Sequence, residues 1–139
     1  METKELAVYL QRLEWIEAAL LDLAGRLSRQ QLQAQPAKGR PIQRILEHVV
    51  GAHNAYLQSP VTRPQGLSAA LRAVSEGPDM PAAMAGFWEL ANARVAAITN
   101  EERTQQVQHG QVLWTARRTM RRLLEHAWEH LLEIRRRLE

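Results

Sequence analysis

The chain has 139 residues, with 18 Lys and Arg against 15 Asp and Glu for a net charge of +3. That length suits one domain able to bury its own core. Cysteine is absent, which excludes disulfide frameworks, thiolate metal sites and cysteine-nucleophile enzymes, so any metal must be held by His, Asp or Glu.

The opening "METKELAVYL" is charged and amphipathic. It lacks the basic head and unbroken apolar run of a secretion signal, and no apolar stretch reaches the roughly 20 residues a bilayer requires. A cytoplasmic location is expected, with no membrane partner. Helix one is predicted from about Thr3 to Leu27, because Leu6, Tyr9, Leu10, Leu13, Ile16, Leu20, Leu23, Ala24 and Leu27 recur at three- and four-residue spacing. "SRQQLQAQPAKGR", with Pro36 and Gly39, reads as a connector. Pro41 then stands where a first-turn proline belongs, and helix two is predicted through "PIQRILEHVVGAHNAYLQ" to Gln58.

The next stretch, "SPVTRPQGLSAALRAVSEGPDMPAAM", is too rich in proline to form one regular element. It is expected to be a long crossover containing a short helix over Leu67 to Ser75. Helix three is predicted from Met80 to Thr99, with Met84, Phe87, Trp88, Ala91, Val95 and Ile98 inward. "TNEERTQQVQHGQ" leads to helix four, from about Leu113 to Leu138, whose stripe is Met120, Leu123, Leu124, Ala127, Leu131, Ile134 and Leu138. No strand alternation or internal repeat stands out. The expected fold is all-α, one domain over residues 1–139, with four long amphipathic helices packed as a bundle.

A pI of 9.9 is in the range of nucleic-acid-binding proteins, but nearly all the cations are Arg, which inflates that value. The densest runs, Arg117, Arg118, Arg121, Arg122 and Arg135 to Arg137, are interrupted by Glu125, Glu129 and Glu133. Mixed charge of that kind describes a solvated helix face, and no nucleic-acid partner is expected.

Chemistry is suggested by "EHAWEH", which stacks His126 over His130 one helical turn apart. On a helical wheel the pair lies on the flank of its stripe, roughly 80° to 120° from the centre. A third His from helix two would complete a facial set. His48 falls roughly 120° off the stripe of helix two, and His53 falls near its centre. Five residues apart, they diverge by about 140° and cannot both join one site. Neutral imidazoles suit zinc, nickel or iron(II). Glu125 and Glu129 point to the other side of the helix, where pairing with Arg121, Arg122 or Arg136 accounts for them. His109, beside Gly110, reads as a solvated loop residue. Trp15, Trp88, Trp114 and Trp128 read as packing residues. The flanks around Trp15 and Trp128 suit a homodimer seam.

The segments "PIQRILEHVVGAHNAYL", "ITNEERTQQV" and "VLWTARRTMRRLLEHAWEHLLEI" resemble, in order and spacing, the DinB/YfiT-like family of metal-dependent four-helix proteins. The resemblance implies a four-helix bundle with a long crossover between helices two and three. It also implies one divalent transition metal held by His48, His126 and His130, with His53 at a position where the family often has an acidic or other polar residue. The function implied is transfer of a low-molecular-weight thiol, or hydrolysis, on a small-molecule substrate. "KGRP" replaces the Trp- or Ser-rich start common before the helix-two motif, and no extra acid is evident beside the three histidines. A non-catalytic dimerisation or partner-binding module, with a structural or vestigial metal site, is the alternative.

Overall fold

The structure is a computed structural model that describes residues 1–58 and 65–139. The elements in chain order are α1 (Thr3–Arg26), α2 (Arg29–Gln33), α3 (Ile42–Leu57), α4 (Leu67–Glu76), α5 (Met80–Ala96), α6 (Asn100–Thr104), β1 (Gln106–His109), β2 (Val112–Thr115) and α7 (Ala116–Leu138). The protein is therefore mostly helical, and α1, α3, α5 and α7 are the four long helices expected. α4 matches the short helix expected from Leu67. The first part of the expected crossover, with Pro60 and Pro64, lies outside the described residues.

Local chemistry shifts several of the expected boundaries. The connector after α1 carries the unforeseen α2, closed by a capping box in which the Ser28 hydroxyl accepts from Gln31 N and the Gln31 side chain accepts from Ser28 N. Helix three was expected to reach Thr99, but α5 stops at Ala96 and Thr99 instead caps α6, reciprocally with Glu102. Arg94 on α5 pairs with the same Glu102. The larger correction concerns strands. Residues Gln106 to Thr115 form an antiparallel hairpin in which Val107 faces Trp114 and Gln108 faces Leu113. Gly110 turns it with φ 61°, and Gln111 has no positive φ. That is the pattern of a II′ turn, whose twist suits a two-residue hairpin. Helix four accordingly begins at Ala116 and not at Leu113, with the Thr115 hydroxyl accepting from Arg118 N at 3.2 Å.

The apolar stripes meet in one core. Leu13, Leu20, Ile45, Leu46, Met84, Phe87, Met120, Leu131 and Ile134 are fully enclosed. α1 packs against α7 and α5, α3 packs against α7, and α4 packs against α5. Leu138, read as part of the inward stripe, is 41% exposed where α7 runs out. Among the described residues no helix is long and apolar enough to cross a membrane.

One acid lies in this core. Glu17 is 4% exposed; its Oε2 accepts from Asn92 Nδ2 at 2.6 Å, while Glu17 Oε1 and Asn92 Oδ1 have no partner among the described residues. Burial raises the Glu17 pKa from an ordinary 4.5 to about 8, against the Asn92 hydrogen bond, which lowers it; nearby Glu14 adds a smaller upward push. Glu17 is thus protonated in the fold and ionised once unfolded over that range, so its contribution to stability falls as pH rises from 4.5 through about 8. Glu17→Gln removes the titration and supplies an amide donor to the same pocket. Denaturant unfolding at pH 5 and pH 8 should show the variant gaining about 2–4 kcal/mol on the parent between the two pH values. A constant difference between the two proteins would refute the buried, neutral acid.

Candidate metal centre

α3 and α7 pack side by side, and this contact brings the outward flanks of both helices together. His126 and His130 stack on successive turns of α7. His48 crosses to them from α3. His126 Nε2 lies 2.9 Å from His48 Nε2 and 3.2 Å from His130 Nε2. All three donor atoms lie within 4.8 Å of one another, close enough to hold a metal ion. Ring centroids are 4.5 to 5.0 Å apart and the rings meet edge to face, so nitrogens rather than ring planes converge. His48 is exposed and the other two are half-buried, so the cluster opens to solvent.

The donor chemistry fits a cation. Zinc about 2.0–2.1 Å from each nitrogen at tetrahedral angles would hold the nitrogens about 3.4 Å apart, slightly wider than the 2.9 and 3.2 Å that separate His126 Nε2 from its two neighbours. Glu133, one turn beyond His130, accepts from His130 Nδ1 at 2.7 Å. The proton is thereby held on Nδ1, which leaves Nε2 bare toward the other two rings. Burial, then the neighbouring His130 and His48 and the cations Arg122 and Arg40, push the His126 pKa down to about 4. Burial, then Arg40 and His130, lower that of His48, opposed by Glu133. Both rings are consequently neutral at neutral pH, the protonation state a ligating imidazole needs.

The structure brings together the three histidines implied by the family resemblance. It also explains why the helical wheel ranked His53 as the more inward residue. His53 is 3% exposed and meets Phe87 edge-on at 5.7 Å. Its Nε2 has no partner among the described residues, and burial, with a smaller push from His126, lowers its pKa to about 3. It is a neutral core residue that takes no part in the cluster. His109 is exposed at the end of β1, as expected. Glu125 pairs with Arg122 at 3.1 Å and Arg121 at 3.5 Å, away from the triad.

Two features escaped the sequence reading. The expectation that no acid accompanies the histidines is corrected by Glu133, whose i,i+3 spacing from His130 was the available signal. The other is an aromatic and cationic wall beside His126. The Tyr56 ring is 6.0 Å from that of His126 and 6.0 Å from that of Trp114. Arg122 Nη2 donates to Tyr56 Oη at 3.3 Å, and Arg118 lies over Trp114 at 5.1 Å. Trp114 reaches this wall because the unforeseen hairpin carries it there.

No protein-family model, curated protein or solved structure matches the chain.

Single replacements separate the roles. His48→Ala, His126→Ala and His130→Ala should each reduce zinc binding to background in a calorimetric titration. Glu133→Ala should keep the site but weaken it by about 10–100-fold. His53→Ala should bind zinc like the parent and lose about 1–3 kcal/mol of stability to denaturant. Loss of zinc in His53→Ala with retention in His48→Ala would reverse the assignment.

Proposed function

We propose that this protein is a divalent-metal-dependent enzyme of DinB/YfiT type that transfers a low-molecular-weight thiol to, or hydrolyses, a small molecule. The single observation that carries the reading is the convergence of three imidazole Nε2 atoms on one solvent-open point between α3 and α7. A divalent ion at such a site supplies Lewis acidity and favours the deprotonated form of a water or thiol. The chain's own residues supply orientation. Glu133 fixes the His130 tautomer, His48 closes the facial set from the opposite helix, and Tyr56 with Arg122 forms a hydrogen-bonded wall beside His126.

The helix directions support a four-helix bundle with a crossover. The Glu5 carboxylate takes two hydrogen bonds from Arg117, at 2.6 and 2.8 Å, so α1 and α7 start side by side. Tyr56, late in α3, meets Arg122, early in α7, whereas His48 lies farther along; α3 therefore runs against α7. The terminal amine of Met1 donates to Arg103 O at 3.5 Å, which sets the chain just beyond α5 at the start of α1. α3 and α5 then share a direction, as a crossover between them requires.

A second reading concerns assembly. Trp15 is 65% and Trp128 47% exposed, and together with Ile16, Ala19, Leu124 and Leu131 they line an apolar groove of about 470 Å³ between α1 and α7. We propose that this face seats a second copy of the chain.

Four measurements test these proposals. Protein purified without a histidine tag should contain about one transition-metal ion per chain. Removing that ion by chelation should leave helical circular dichroism unchanged, since the core is independent of the site. Addition of a low-molecular-weight thiol to the cobalt-loaded protein should produce a sulfur-to-cobalt charge-transfer band in the near ultraviolet. A metal-loaded protein without such a band would exclude thiol transfer and leave hydrolysis. Light scattering at micromolar concentration should return twice the chain mass, falling to one chain mass in Trp15→Ala/Trp128→Ala; a monomeric parent would remove the dimer.

A further inference from the structure

The flank of α7 that carries the histidines continues toward the start of the helix. Arg118, Arg122, His126 and His130 follow at four-residue intervals, each about one turn from the next. The two arginines have different surroundings. Arg122 donates to Glu125 at 3.1 Å and to Tyr56 Oη at 3.3 Å. Arg118 lies over the Trp114 ring at 5.1 Å, and among the described residues its buried Nε has no hydrogen-bond acceptor and its charge no carboxylate partner. The side chain as a whole is only half-buried.

The neighbouring elements do not supply the missing charge. Glu5 is held by Arg117, and Glu125 by Arg121 and Arg122. The hairpin, residues 106–115, and the second half of α3, residues 51–58, contain no acid in their sequence. The face of Trp114 attracts the cation but does not accept the N–H bonds in the guanidinium plane. Arg118 is therefore a partly desolvated cation with unused donors, and a carboxylate brought by a ligand would meet it through charge-assisted hydrogen bonds. Aromatic rings lead from there to the cluster. Trp114, Tyr56 and His126 follow one another with successive centroids 6.0 Å apart. Arg118 and His126 stand about 12 Å apart along the helix axis.

We infer that Arg118 is the anion subsite of this centre, holding the carboxylate of an elongated small molecule whose apolar middle lies along Tyr56 and whose other end reaches the histidines. The inference rests on the functional reading above in taking the histidine cluster as the reaction centre. Arg118 then distinguishes anionic from neutral ligands. Tyr56 holds both kinds alike, because its ring offers apolar surface and no charge.

Calorimetric titration of metal-free protein with octanoate and the neutral octanamide tests this, alongside a cobalt titration of each variant. Octanoate should bind the parent at least ~10-fold more tightly than octanamide, the ratio that about 1.4 kcal/mol gives. Arg118→Gln should lose that preference while binding cobalt like the parent, and Arg118→Lys should recover part of it. Arg121→Gln, on the exposed neighbouring arginine, should keep it in full. Tyr56→Ala should weaken octanoate and octanamide by a similar factor. Equal affinity of the parent for the two ligands, binding of neither, or a preference that survives Arg118→Gln would overturn the inference, as would unchanged octanoate binding in Tyr56→Ala. Selective octanoate binding through Arg118 in a protein that takes up no cobalt would remove the metal reading and keep the anion subsite. Cobalt uptake without selectivity for octanoate would do the reverse.

Discussion

Everything at the candidate centre depends on how closely α3 and α7 lie along their shared seam. Three imidazole nitrogens converge only if two helices present the flanks of their stripes, and not the centres, to one another. Ala127, 2% exposed between His126 and Trp128, keeps α7 slim at that level. Val49 and Val50, next to His48, are likewise almost wholly enclosed. A bulkier residue at these positions would push the helices apart, and close-packed interiors absorb extra volume by shifting backbone. The chemistry of the seam is thus set by the packing beneath it.

The electrostatics follow from the same placement. Partial desolvation and adjacent cations keep the half-buried His126 and the more exposed His48 uncharged, and a nearby carboxylate fixes the tautomer of His130. The two effects act in the same direction, since each leaves a nitrogen lone pair free toward a common point. His53 shows burial as the dominant cause. It is equally neutral, but enclosed by core residues with no second donor, and so contributes nothing to the cluster.

Much of this was legible in the sequence, and the misses have physical reasons. The long helices could be read because their apolar residues repeat at the helical period over several turns, as Leu6, Leu13 and Leu20 do in α1. His126 and His130 were legible because spacing within one helix is local information. The helical wheel could not choose between His48 and His53, because the choice depends on which neighbour α3 meets and the wheel ranks only inwardness; the family resemblance supplied His48. The hairpin was missed because four-residue strands such as "QVQH" carry too little alternation to register, and "VLWT" continues smoothly into the stripe of α7. Glu17 sits on the inward face of α1 against the expectation for a charged residue, and only the partner Asn92 on α5 makes its position intelligible.

The hairpin also fixes where α7 begins, and hence the angle at which it presents every later side chain. Thr115 ends β2 and caps the helix, so the count from that cap to His126 sets the rotation of the pair. Each residue added to or removed from that interval would turn both histidines by about 100° and carry them off the seam. An extra residue at the exposed Gly110 turn would only lengthen a loop. Length variation in this protein should accordingly be tolerated on one side of Thr115 and forbidden on the other, an asymmetry created by eight residues of strand that hold no ligand of their own.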